Sequence, residues 1–214
     1  MTTKEYDDRG QLISETILGD VKFTYKYDDR GNLISEICSN GDQYVYEYDD
    51  RGNKISEIYP DGSQITYGHD ERGNRISATV PGGGKYFYEY DESDNLIFWT
   101  YPNGNKCAFK HNDKNQLIFA TFPNEGEYTY EYNDKGQLIS ETDCYSDKYI
   151  YEYDDLGNRT SKTWPDGDKY TYGYDERGNR ISETWPDGST YLSEYDDKGE
   201  LISTIFPSGY KYTY

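Results

Sequence analysis

An all-β fold is predicted, a repeat array of ten 21-residue β-hairpins forming one continuous antiparallel, curled or spiralling sheet, and three features of the 214-residue sequence predict it. The first is a tyrosine-rich unit that recurs every 21 residues without insertion or deletion, marked by Tyr6, Tyr27, Tyr48, His69, Tyr90, His111, Tyr132, Tyr153, Tyr174 and Tyr195. Repetition this regular implies units that stack on their neighbours. The second is alternation: Tyr27 to Ile37 and Tyr44 to Tyr48 carry short alternating runs separated by Gly/Asp/Asn/Pro clusters, the pattern of a hairpin meander. The third is composition. Only 33% of residues are hydrophobic and the mean hydropathy is −1.10, yet 27 tyrosines supply large apolar bodies with polar tips, enough for a tyrosine core.

The elements follow in order. Residues 1–6 read as a polar capping strand, in which Thr2 and Lys4 fill columns held one unit later by Phe23 and Tyr25. Residues 7–214 read as the ten repeats of a single domain. The first turn of each unit is acidic, as in Asp28-Asp29-Arg30-Gly31. Its glycine column departs from glycine only at Asp94 and Asn115, the residue types that best tolerate the left-handed conformation. The second turn, Pro60-Asp61-Gly62 and its relatives, reads as a type I turn closed by a left-handed glycine.

Loop length then predicts register. A three-residue Pro-Asp-Gly loop sets Trp185 against Ser189 and Glu183 against Tyr191. A four-residue acidic loop sets Tyr27 against Asn32 and Tyr25 against Ile34. One face then carries a row of Ile13, Tyr25, Ile34 and Tyr46 and a row of Glu15, Phe23, Glu36 and Tyr44. The other face, with Ser14, Thr16, Thr24 and Lys26, is expected to be mostly wet. Twenty strands would span roughly 95 Å if flat. Strand twist and the aromatic face predict curling with the Tyr/Ile face inward.

Net charge is −19, which disfavours nucleic acid and anionic membrane surfaces as partners. No apolar run reaches the length of a membrane span, and Met1 to Glu5 do not begin a secretory signal. The sequence therefore reads as cytoplasmic as written, or as part of an exported or surface protein. Cys38, Cys107 and Cys144 occupy three different repeat positions and read as free thiols rather than a disulfide framework.

The unit Tyr-Asp-x-x-Gly-Asn-x-Ile-Ser, followed by Pro-Asp-Gly and Tyr-x-Tyr-Glu-Tyr-Asp, resembles the YD repeat of the Rhs family, from Glu5 to Tyr214. That family includes bacterial polymorphic toxins, the shell component of Tc insecticidal toxins, and teneurins. The resemblance implies a spiralling β-sheet shell of hairpins which, in the toxins, encloses a toxic C-terminal segment. Three features depart from the toxin pattern: ten repeats are few for a full cocoon, no Asp-Pro-x-Gly self-cleavage motif is present, and no toxin-like tail follows.

The residues that could carry chemistry read as scaffold. Serines such as Ser14 and Ser35 lie on the face away from His69 and His111, so no nucleophile has a base beside it. The two histidines are four strands apart, about 19 Å, and cannot share a metal. Glu15 and Glu36 are about 9.6 Å apart, near a glycosidase pair, but they belong to a ladder for which tyrosine hydroxyls are the natural partners. The acidic turns lack the distal bidentate glutamate of a calcium loop. The expectation is a non-enzymatic scaffold without cofactor or metal, presenting or enclosing a surface for protein. Phe98, Trp99, Phe109 and Phe119 in the most divergent units form its candidate contact patch. Tyr212 and Tyr214, on a strand with no cap, form its candidate edge for self-association. A carbohydrate-binding module using the Tyr/Trp face is the alternative, and an acidic decoy for a basic protein is a third.

Overall fold

A computed structural model of the protein describes residues 2–17 and 21–214; the second turn of the first unit lies outside the described residues. Its compact units are Met1–Cys107 and Ala108–Tyr214. The fold is all-β, with twenty-one strands from Thr3–Tyr6 to Lys211–Thr213 and no helix among the described residues. Within each unit successive strands pair antiparallel as a hairpin meander, as in Leu33–Cys38 with Gln43–Tyr48, or Leu138–Thr142 with Lys148–Tyr153.

Both turns of the repeat share one geometry. In the second turn, the Tyr59 amide donates to the Ser63 carbonyl and the Gly62 amide to the Tyr59 carbonyl, each at 2.9 Å, with Gly62 at φ +81°. In the acidic turn, the Asp28 amide donates to the Asn32 carbonyl at 2.9 Å and the Gly31 amide to the Asp28 carbonyl at 3.1 Å. Each is a three-residue loop closed in the left-handed region. Asp94 and Asn115 adopt φ +63° and +59° in the glycine column, as their residue types predict.

The acidic loop is therefore one residue shorter than the sequence reading has it, and the register changes accordingly. Asp28 closes on Asn32, Tyr27 pairs with Leu33, and a bulge then sets Lys26 against Ser35 and Tyr25 against Glu36. Tyr25 thus faces Glu36, not Ile34. The loop shortens by one residue and the bulge inserts one, so beyond the bulge pairing moves by two and face parity survives. The column of Leu33, Lys54 and Arg75 instead turns to the tyrosine face, with Lys54 4.3 Å from the Tyr46 ring centroid and Arg75 4.2 Å from that of Tyr67. Ile34 is the extra residue of that bulge. Its counterparts Ile13, Ile55, Ile76, Ile181 and Ile202 are likewise unpaired and partly exposed, so the predicted Ile/Tyr row is a Glu/Tyr row. The Pro-Asp-Gly register is as expected, with Glu183 against Tyr191.

The serine face is not simply wet. Ser14, Ser35, Ser56, Ser140, Ser161 and Ser203 are buried, and Ser161 and Ser203 are only 1% exposed. A short side chain in mid-strand is covered by its longer neighbours. The Ser161 hydroxyl donates to Glu152 at 2.6 Å, and Lys169 closes over the same carboxylate at 2.6 Å. Glu131 with Lys148 covers Ser140 in the same way, and Glu194 with Lys211 covers Ser203.

Candidate binding faces

The opposite face is organised by tyrosines at two levels. The register tyrosines sit where each strand enters its acidic turn and reach back to the bulge of the preceding strand. The Tyr27 hydroxyl donates to the Leu12 carbonyl at 2.9 Å, and Tyr48, Tyr132 and Tyr153 do the same to Leu33, Leu117 and Leu138. The bulge interrupts the ladder there, and a phenol supplies the donor. Two residues earlier on the same strands, a second tyrosine donates to a glutamate: Tyr25 to Glu15 at 2.9 Å, Tyr67 to Glu57 at 3.1 Å, Tyr151 to Glu141 at 2.6 Å. Burial and the adjoining carboxylates push the Tyr46 and Tyr67 phenols up to about 12, and raise Tyr25 and Tyr151 further still. Three glutamates of the ladder, Glu15, Glu57 and Glu141, are thus engaged by phenols.

The acidic turns are self-satisfied. One carboxylate oxygen of Asp28 accepts the Arg30 and Asn32 amides at 3.0 and 2.8 Å, and the other accepts the Asn32 side-chain amide at 2.9 Å. These bonds, the Asn32 side chain first, hold the Asp28 carboxyl below the ordinary range, and Asp49 is held low by Asn53 in the same way. Successive turns are stitched by arginine: Arg51 donates to the Glu71 carbonyl at 2.6 Å and Arg177 to the Asp197 carbonyl at 2.8 Å. Among the described residues no group of three His, Cys, Asp or Glu side chains could hold a metal ion. His69 and His111 each keep Nδ1 buried and without a hydrogen-bond partner.

The four aromatic residues of the divergent middle are divided between the two faces, because neighbours on a strand point oppositely. Phe98 pairs with Glu89 on the serine side and lies under Lys106, whose Nζ is 4.2 Å from the ring centroid and 2.8 Å from Glu89. Trp99, next to it, pairs with Tyr88 on the tyrosine side and stacks on Tyr101 with centroids 4.7 Å apart. In the second unit Phe119 lies under Lys110 at 5.1 Å, while Phe109 packs edge-on against Phe122 at 6.0 Å. Trp99 also borders a cleft of about 400 Å³ with Tyr67, Arg75, Ala78 and Tyr86, and its indole nitrogen is buried without a partner. Tyr212 and Tyr214 are exposed and meet edge-on at 5.0 Å.

A larger aromatic feature lies outside that patch. In the second unit a continuous run of rings passes from Tyr149 through Trp164, Tyr170, Trp185 and Tyr191 to Phe206 and Tyr210, with successive centroids 5.2 to 6.4 Å apart. Trp164 and Trp185 are each 40% exposed. The Lys162 ammonium, standing where other units place glutamate, sits 4.0 Å from the Trp164 ring and 4.9 Å from Tyr149. The signal for this run is legible in the sequence: Trp164, Trp185 and Phe206 occupy the position before proline in three successive second turns, 21 residues apart. Read only as turn punctuation, that column gives no hint that its rings meet those of the next strand.

The family model for the Teneurin YD-shell matches residues 1–149, and that for the RHS Repeat matches residues 132–168 and 153–190. No curated protein matches the chain. Among solved structures it is similar to TcdB2-TccC3, with a TM-score of 0.70 at 15% identity over 95% of this chain and 13% of that one. It is similar also to TcdB2-TccC3-TEV, with a TM-score of 0.65 at 14% identity over 95% of this chain and 14% of that one. A Photorhabdus luminescens Tc holotoxin pore gives 0.59 at 15% identity over 99% of this chain and 15% of that one. At such identities the likeness is one of fold, and this chain spans only 13% to 15% of those chains. With its model matched over residues 1–149 of 214, the family is settled: the chain belongs to the Teneurin YD-shell family.

Proposed function

We propose that this chain is a non-enzymatic stretch of shell, whose work is to present its tyrosine and tryptophan face to polypeptide. The observation that carries this reading is the aromatic run from Tyr149 to Tyr210, with Trp164 and Trp185 open to solvent. Rigid rings of this kind supply contact area at small entropic cost and are enriched where proteins meet. Of the carboxylates on this face, Glu141 accepts the Tyr151 hydroxyl and Glu183 is paired with Arg180, so neither stands as an isolated acid or base for hydrolysis. Trp99, Phe109 and the exposed pair Tyr212 and Tyr214 are secondary contact points on the same face, and Phe98 and Phe119 under their lysines form a separate one on the serine face.

The test is titration of tryptophan fluorescence with a reduced, alkylated, unfolded polypeptide and, separately, with soluble glucan oligosaccharides. Saturable quenching by the polypeptide that persists in high salt, and that is lost in Trp164→Ser/Trp185→Ser, is the expected result. Quenching by the glucan alone would transfer the face to carbohydrate binding. Quenching abolished by salt would reduce the interaction to the net charge of −19. No response to the polypeptide would end the reading.

A further inference from the structure

The tyrosine that donates to the glutamate ladder is missing once where its acceptor is present. The column runs Tyr25, Tyr46, Tyr67, Tyr88, Phe109, Tyr130, Tyr151, Tyr172, Ser193 and Tyr214. Glutamate stands ten residues earlier at Glu15, Glu36, Glu57, Glu141 and Glu183, and of these five Glu183 alone has no tyrosine to receive, because position 193 is serine. In three other units that ten-residue offset is bridged by a phenol hydroxyl, at 2.9, 3.1 and 2.6 Å. The register here is the same: Glu183 pairs with Tyr191, and Ser193 follows two residues along the same face.

The missing ring leaves space. A cavity of about 270 Å³ opens at Ser193, walled by Trp185 and Tyr191 and by Glu183, Arg180 and Thr204. Thr204 replaces the glutamate that would otherwise fill the side facing Ser193. A dry apolar cavity of about 150 Å³ admits benzene, so one six-membered ring fits here. Glu183 is held in place by Arg180 at 3.2 Å, and the other units show how a carboxylate at this position accepts a phenolic proton.

We propose that this cavity is a binding site for a hydroxylated aromatic ring, which stacks against Trp185 and Tyr191 and donates its hydroxyl to Glu183. The ligand is a phenol, either free or carried as the tyrosine side chain of a second protein. Phenol replaces the side chain that the repeat supplies elsewhere, so affinity comes from a hole already shaped and already provided with its acceptor.

The probes are phenol and benzene, followed by N-acetyltyrosinamide and N-acetylphenylalaninamide, titrated into the full chain with Trp185 fluorescence and protein NMR shifts as readouts. Phenol is expected to bind at least about tenfold more tightly than benzene, since the hydroxyl bonds to a charged acceptor. Ser193→Tyr, which restores the repeat, is expected to abolish phenol binding and raise the unfolding midpoint. Glu183→Ala removes the acceptor while keeping a residue found in the same column at Ala78 and Ala120, and is expected to bring the phenol-to-benzene ratio close to one. Binding of phenol but not the tyrosine amide would identify a free phenol as the ligand; binding of both would point to a protein tyrosine. The proposal is overturned if phenol binds no better than benzene. It is equally overturned if Glu183→Ala leaves the ratio unchanged, whether or not Ser193→Tyr folds.

Discussion

Tyr151 is 7% exposed and its hydroxyl lies 2.6 Å from Glu141, so the ring supplies apolar burial and its tip satisfies a charge at once. Removing only the hydroxyl leaves that carboxylate without its donor. Tyr151→Phe should therefore destabilise the protein by about 2 kcal/mol, in the range for a hydrogen bond to a charged group. A shift in urea midpoint no larger than that of Tyr6→Phe, at an exposed position, would count against the ladder as a source of stability. His69 makes the converse case. Seven register tyrosines donate to a main-chain carbonyl fifteen residues earlier, at distances of 2.9 to 3.1 Å, while His69 keeps a buried Nδ1 with no partner. His69→Tyr brings a hydroxyl within the same reach of the Lys54 carbonyl and should stabilise by ~1 kcal/mol, read as a higher melting temperature.

At the level of the hairpin, turn chemistry is what the sequence makes most legible, because positive φ selects a short list of residues. The column that requires it shows glycine nearly throughout, with Asp94 and Asn115 as the departures, and both adopt the left-handed region. Ser146, at φ +69°, is a third left-handed residue other than glycine, in the turn where Cys144-Tyr145-Ser146 replaces the usual Pro-Asp-Gly. Ser146→Gly should gain about 1 kcal/mol by relieving the Cβ clash; an unchanged or lower midpoint would show that the turn is not strained. Beyond the bulge the two faces were legible too, because parity survives a pairing shift of two. The column of Leu33, Lys54 and Arg75 was not, because it pairs on the turn side of the bulge and faces the tyrosines. What the sequence concealed is the bulge beside each acidic turn, since its extra residue is an ordinary isoleucine such as Ile34, and no residue type marks it. Burial of the serine column was hidden for a related reason. A small polar residue looks exposed in sequence, whereas its cover comes from Glu152 and Lys169 on the two neighbouring strands. The aromatic run was half legible: the spacing of Trp164, Trp185 and Phe206 is plain, but ring contact depends on the register that the bulge sets.

Over the whole molecule, two sets of groups place opposite limits on the pH range of stability. Asp28, Asp49, Asp154 and Asp175 are held below the ordinary aspartate value of 3.8 by hydrogen bonds from the following asparagines, and Glu131 and Glu152 below 4.5 by serine and lysine. A carboxyl with a depressed folded value contributes fully above its unfolded value, and the contribution is lost as pH falls through the folded one. Acid should therefore destabilise below roughly 4.5, where the unfolded chain starts to bind more protons than the folded chain. The tyrosines behave in reverse. Burial, followed by nearby Glu36 and Glu57, raises Tyr46 to about 12, and burial with the Glu57 hydrogen bond raises Tyr67 equally. Above the unfolded value of 10.0 the unfolded state has lost phenolic protons that the folded state keeps, so stability falls with pH until the folded phenols also ionise. Many raised phenols acting together make this limb steep for a chain with 27 tyrosines. The urea midpoint should be nearly flat between pH 5 and 9 and drop beyond pH 10, with phenolate absorbance rising in the same transition as the loss of circular dichroism. Phenolate absorbance that rises at ordinary tyrosine values while the fold persists would mean that the phenols are not held by the sheet, and the tyrosine–glutamate ladder would lose its place as the element that unites core and face.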